Sequence, residues 1–137
     1  MRVTQFTDHD GQVRADVSDV PGWQPFEEYD GKPLQGVSLV ELGRSGGAEL
    51  QLVRIAAGGH FAMHASPALA YCQIVAGAGT LRLPDGRELT YAGPELYVFH
   101  PHTLHEWVAV TADTLLSVCL VGPGAGGAGE RSGDGDG

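Results

Sequence analysis

The sequence predicts an all-β domain, an antiparallel sandwich or barrel. Three observations lead there. From residue 37 to residue 120, about nine short segments of alternating or continuous apolar character follow one another at near-regular spacing. Glycine, proline and aspartate separate them, and Pro84-Asp85-Gly86 supplies the positive φ that a tight hairpin turn needs. No stretch has the 3.6-residue period of an amphipathic helix.

Residues 1–33 show no sustained period, and 1–36 are expected to form an extended arm. Asp8-His9-Asp10-Gly11 is turn chemistry, and Pro21 and Pro25 exclude a helix interior. Trp23 and Phe26 would each cost about 1.5–3 kcal/mol if left in water, so the arm should pack on the barrel or on a neighbouring subunit. The β pattern then runs through 37–42 and 49–55, on either side of a glycine-rich turn, and continues through 61–64, 70–75, 79–83 and 87–91. Segments 95–99, 105–110 and 114–120 complete a barrel spanning 37–121. Residues 122–137, GPGAGGAGERSGDGDG, hold almost nothing apolar to bury and are expected to be a disordered tail.

A chain of 137 residues is one domain by length and buries enough surface for a core without staples. Its net charge of -9 argues against nucleic acid or an anionic membrane surface as partner. No basic segment precedes an apolar run at the N-terminus and no apolar stretch approaches ~20 residues, so a soluble cytoplasmic protein is expected. Cys72 and Cys119 sit in apolar β-like runs and read as reduced, buried thiols. Phosphate-binding glycine loops, Cys-x-x-Cys and Gly-x-Ser-x-Gly are absent, which removes support for phosphoryl transfer, zinc ribbons and hydrolase elbows.

Two histidine-bearing stretches stand out: GGHFAMHASPALAYCQIVAGAG at 58–79, and His100 to His105. They resemble the paired motifs of the cupins, whose first motif runs glycine, His-x-His, glutamate and a later glycine, and whose second runs glycine, a proline turn and a third histidine. Aligned on Gly77, Ala70 stands at the glutamate, Ser66 at the second histidine and His64 at the first. In the second motif Gly93 opens, Pro101 lies in the turn and His105 matches the histidine. The resemblance covers about residues 37–120 and implies a double-stranded β-helix, or jelly-roll barrel. In metal-binding cupins three histidines and the glutamate commonly hold one divalent ion. Here two of those four positions match, His64 and His105.

On a strand, i and i+2 lie about 6.6 Å apart on one face, so a His-x-His pair can converge on an ion. His60 and His64 are four apart, roughly 13 Å, and cannot share one unless a bulge folds the strand. His102, in the turn before His105, is the remaining candidate for a His64, His105 and His102 site for Fe, Mn, Ni, Cu or Zn; otherwise no cofactor is expected.

Alternation directs His64, Ala70, Cys72, Ile74, His105 and Trp107 into the barrel, and Phe61, Met63, Tyr71, Gln73 and Val75 to the other face. A pocket of Cys72, Ile74 and Trp107, with the small Ser66 and Ala70, suits an apolar, ring-bearing small molecule. His64 and His105 are the candidate acid–base groups, with Tyr97 as a complementary acid. The function expected is therefore a cyclase- or isomerase-like enzyme, with the aromatic-polyketide cyclases among cupins as one comparison. A non-catalytic ligand-binding barrel and a metal-dependent oxygenase are the alternatives. Outward apolar Met63, Tyr71 and Val75 point to a homodimer.

Overall fold

The structure, a computed structural model, describes residues 1–122. Its strands are β1 (Arg2–His9), β2 (Gln12–Asp19), β3 (Gln24–Pro25), β4 (Glu28–Tyr29), β5 (Lys32–Pro33), β6 (Gln35–Ser45), β7 (Ala48–His64), β8 (Leu69–Arg82), β9 (Glu88–Ala92), β10 (Glu95–Phe99) and β11 (His105–Val121). The predicted tail lies outside the described residues apart from Gly122. Among the described residues no helix is long and apolar enough to cross a membrane.

The main sheet has seven strands in the order β10-β8-β11-β7-β6-β3, with β9 also paired to β8, and its pairs are all antiparallel. The nine short segments expected from the sequence are not all separate strands. Three pairs of predicted segments are continuous: 49–55 with 61–64 in β7, 70–75 with 79–83 in β8, and 105–110 with 114–120 in β11. Each long strand bends at a residue with positive φ: Gly58 (83°), Gly77 (125°) and Ala109 (46°). Through these bends the strands pass from one wall of the barrel to the other. β8 accordingly pairs with β10 over residues 70–74 and with β9 over 78–82.

The core between the walls includes Val37, Val53, Ile55, Ile74, Leu81, Tyr91, Trp107 and Leu116. Gly77 is required there, because a Cβ at that position would meet Thr114 Cα and Oγ1 at 2.5 Å. The Pro84-Asp85-Gly86 turn joins β8 to β9 as expected, with Gly86 at φ 92°.

The N-terminal region differs from the expected arm. Residues 2–19 form a β1–β2 hairpin, and β4–β5 is a second, smaller one. Asp10-Gly11 (φ 52° and 82°) and Asp30-Gly31 (φ 55° and 78°) have the paired positive φ values of two-residue hairpin turns. The intervening stretch packs on the chain's own barrel. β3 pairs with β6, the Arg54 guanidinium lies 4.2 Å over the Trp23 ring, and Phe26 meets Phe61 edge-on at 5.9 Å. Both cysteines are free thiols, Cys72 buried and Cys119 partly so. They project from opposite faces: Val118, Cys72's neighbour in register, lines the interior, and Cys119 is the next residue along β11.

Candidate functional site

A cavity of about 370 Å³ lies between the walls, and His64, Ser66, Ala70, Cys72, His105 and Trp107 all line it. His64 ends β7 and His105 begins β11, and the two are paired in register. Their rings lie 4.3 Å apart, centroid to centroid.

A β-bulge puts His64 there. His105 pairs with His64 and Trp107 with Phe61, so Ala62 and Met63 together stand opposite the single residue Glu106. Two carbonyls at the bulge are satisfied by side chains. Ala62 O accepts from His64 Nδ1 at 2.7 Å, and Met63 O accepts from Lys32 Nζ at 2.7 Å. The bulge also turns Phe61 inward, where alternation alone had directed it out. Phe61 stacks on His64 at 4.2 Å, and Phe99 stacks on His105 at 3.7 Å.

The electrostatics of the pair follow from this packing. A carbonyl oxygen only accepts, so His64 Nδ1 carries its proton toward Ala62 O and His105 Nδ1 carries its own toward Thr103 O at 3.0 Å. In each neutral ring Nε2 is therefore the lone-pair nitrogen. Burial lowers the pKa of His64; the hydrogen bond to Ala62 O opposes it in part, and the Lys32 charge adds a smaller push in the same direction as burial. Burial and the neighbouring His64 push His105 down to about 4. Both rings are uncharged at neutral pH and offer lone pairs.

Other expected site residues lie elsewhere. His102 is exposed in the turn at φ 66°, its amide donating to Ser66 O at 2.7 Å, and it does not line the cavity. His60 faces out and pairs with Glu106 at 2.5 Å. A bulge does fold this strand, but it lies beyond His60 and leaves that ring outside. Ile74 is fully buried in the core and is not part of the cavity wall. Tyr97 is on the inner side of β10, stacked on Trp107 at 6.2 Å, and is also not in that wall. Burial and the Glu95 carboxylate push its hydroxyl up to about 12, the wrong direction for an acid at neutral pH.

A catalytic metal centre ordinarily takes three protein ligands. Among the described residues no three His, Cys, Asp or Glu side chains are grouped to hold an ion. Cys72 does line the cavity, but burial pushes its thiol up to about 12, away from the thiolate that metals bind. The donors present do not fit the metal that the motif resemblance implies.

Two groups of lining residues were not singled out from sequence. One is the aromatic wall of Phe26, Tyr29, Phe61 and Phe99. The other is a polar rim of Glu41, Arg44, Glu49 and Gln51. Alternation over 49–55 already placed Glu49 and Gln51 on the face of Val53 and Ile55, and that signal was there to be used.

Solved structures with this architecture agree with one another. KdgF from Halomonas sp. superposes with a TM-score of 0.59 at 19% identity, over 75% of this chain and 93% of that one. A cupin 2 conserved barrel domain protein from Rhodopseudomonas palustris gives 0.58 at 22% identity, over 73% and 71%. The chain has the cupin fold. A further cupin-fold neighbour, the polyketide cyclase RemF from Streptomyces resistomycificus, matches at 0.55 and 18% identity over 64% of this chain and 66% of that one. No protein-family model and no curated protein matches the sequence. At these identities the likeness speaks for the cupin barrel and leaves the chemistry to the residues.

Proposed function

We propose that this cupin barrel binds an apolar, ring-bearing small molecule and moves a proton on it, in a cyclase- or isomerase-type reaction with His64 and His105 as bases. The observation that carries this reading is the adjacent pair of neutral imidazoles, each with Nδ1–H fixed to a backbone carbonyl, in the wall of an aromatic cavity. A base must be unprotonated to act, and these two are so at neutral pH. The same desolvation makes them weak bases, so the proton they take must be acidic, such as a C–H between two carbonyls. Aromatic surfaces from Phe61, Phe99 and Trp107 suit a flat substrate. That RemF is a polyketide cyclase is in keeping with this chemistry.

Deuterium exchange tests it. The purified protein is incubated in D₂O with 1-phenylbutane-1,3-dione, and wash-in at the carbon between the carbonyls is followed by NMR. The native protein should accelerate exchange over buffer, and a His64→Ala/His105→Ala double variant that still melts cooperatively should not. Equal rates for the two proteins would reject the catalytic role and leave a barrel that only binds.

A further inference from the structure

Besides the two histidines, the cavity is lined by a second polar group, Glu41, Arg44, Glu49 and Gln51. On β6, Glu41 pairs with Gln51 and Gly43 with Leu50, so Leu42 is an extra residue and Gly43 takes φ 145°. This is a bulge like the one that places His64. It brings Arg44 to the same wall as Glu41, although the two are three residues apart.

Arg44, largely exposed at the rim, fixes the group beside it. Arg44 Nη2 donates to Glu49 Oε1 at 2.9 Å, and Gln51 Nε2 donates to Glu49 Oε2 at 3.0 Å. With both carboxylate oxygens engaged and its amide nitrogen held, Gln51 has its carbonyl Oε1 directed away from Glu49. The amide can therefore serve as an acceptor, with the Glu41 carboxylate as a further acceptor on the same rim.

Glu49, Leu120, Ala70 and Phe99 are successive register neighbours, and His105 stacks on Phe99. Three strand spacings amount to about 14 Å along the curved sheet. Between the ends the wall is apolar: Val118, Leu120, Cys72 and Phe99. The rim has two carboxylates against one guanidinium, and that guanidinium is already paired to Glu49.

We infer that Gln51 and the His64–His105 pair form two acceptor ends of one cleft. Its ligand is an elongated aromatic of two or three fused rings, carrying hydroxyl donors at both ends and no negative charge. The inference rests on the small-molecule reading of the same cavity, and names its ligand class, the hydroxylated aromatic ring system in which such a cyclisation ends.

Three naphthalenes of one shape test it by calorimetry on the full chain: the 2,6-diol, its dimethyl ether and the 2,6-dicarboxylate. The diol should bind about tenfold more tightly than the ether, the size of effect expected from one or two hydrogen bonds, and the dicarboxylate should bind weakest. Gln51→Leu should weaken the diol about five- to tenfold and leave the ether unchanged, which also shows the cavity intact. The inference is overturned if diol and ether bind alike, if the dicarboxylate binds best, if none of the three binds, or if Gln51→Leu leaves the diol's affinity in place. A diol that binds through Gln51 in a protein silent in the exchange assay would sink the catalytic role and keep this one.

Discussion

His64 and His105 are paired across β7 and β11, and each ring donates from Nδ1 to the carbonyl two residues before it, Ala62 and Thr103. One local geometry, used twice, sets both tautomers. Aromatic stacking by Phe61 and Phe99 then removes the water that would let either ring hold a charge cheaply.

Acid should therefore unfold this protein earlier than its carboxylates alone would require. His105 binds a proton near pH 6.5 when unfolded and only near about 4 when folded, and His64 is shifted in the same direction. Between those values the unfolded chain holds the extra proton, so stability is full above about pH 6.5 and falls as pH drops. The loss by pH 5 is on the order of 2 kcal/mol from His105. Urea unfolding at pH 7.5 and pH 5 measures it, and His105→Phe, similar in bulk and unable to protonate, should remove most of the difference. A native profile flat over this range would mean the ring is not held neutral.

How far the sequence reached depended on where strands keep their period. The inner face of β8 was legible in Ala70 and Cys72, and the second motif located His105 and Trp107, because no residue is inserted in those stretches. Phe61, His60 and Arg44 were not legible. Each lies beside a bulge, and one unpaired residue inverts every later side chain while leaving no mark in a period-two pattern. The long strands were broken into pieces for a related reason. Gly58 and Gly77 look like turn residues, yet they bend strands that go on pairing. The hairpin over residues 2–19 went unread because its sequence is largely polar, although the Asp10-Gly11 turn was in view.

Gly77 aligned the first motif, and the structure gives the physical reason for a glycine there. Gly77→Ala adds a Cβ against the Thr114 backbone at a φ of 125°, and should cost about 3 kcal/mol. At the equivalent bend in β11 an alanine already occupies the left-handed region: Ala109, exposed, at φ 46°. Ala109→Gly should be neutral or stabilising by up to about 1 kcal/mol. Denaturation midpoints of the two variants should move in opposite directions, or the second should stay put; a tolerated Gly77→Ala would show that the β8 bend is not needed.

Tyr91 and Thr114 share a hydrogen bond of 2.7 Å, and both are fully buried. Thr114 Oγ1 donates onward to Ala112 O at 3.0 Å, so in that arrangement the Tyr91 hydroxyl is the donor between the two. The consequence is an asymmetry. Tyr91→Phe removes one bond and leaves Thr114 with its acceptor, at a cost of about 1 kcal/mol. Thr114→Val keeps the shape but strands the Tyr91 hydroxyl in the core, at about 2–3 kcal/mol. Equal losses, or the reverse order, would show that the proton lies the other way.

The N-terminal hairpin bears on assembly. Phe6, Val13 and Val17 are 60–69% exposed, and the register of β1 and β2 sets them with Ala15 on one face. A two-stranded hairpin is marginal at best in water, and this one leaves its apolar face uncovered. The outer face of β8 and β10 has its own uncovered row in Tyr71, Val75, Leu96 and Val98. A second copy of the chain would cover both by reciprocal exchange of hairpins. Eight residues per strand make a hairpin face of about 27 by 10 Å, and the five-residue β10 limits the receiving face to about 17 Å in length, so two hairpins and two receiving faces bury on the order of 700–1,100 Å², the low end for an interface between copies. Light scattering after size exclusion should give a dimer mass for the full chain. Removing residues 1–19, or placing Phe6→Glu and Val17→Glu in the hairpin, should give monomers with the barrel still cooperatively folded. A full chain that runs as a monomer, or a dimer that survives both changes, would show that the hairpin face is not the contact.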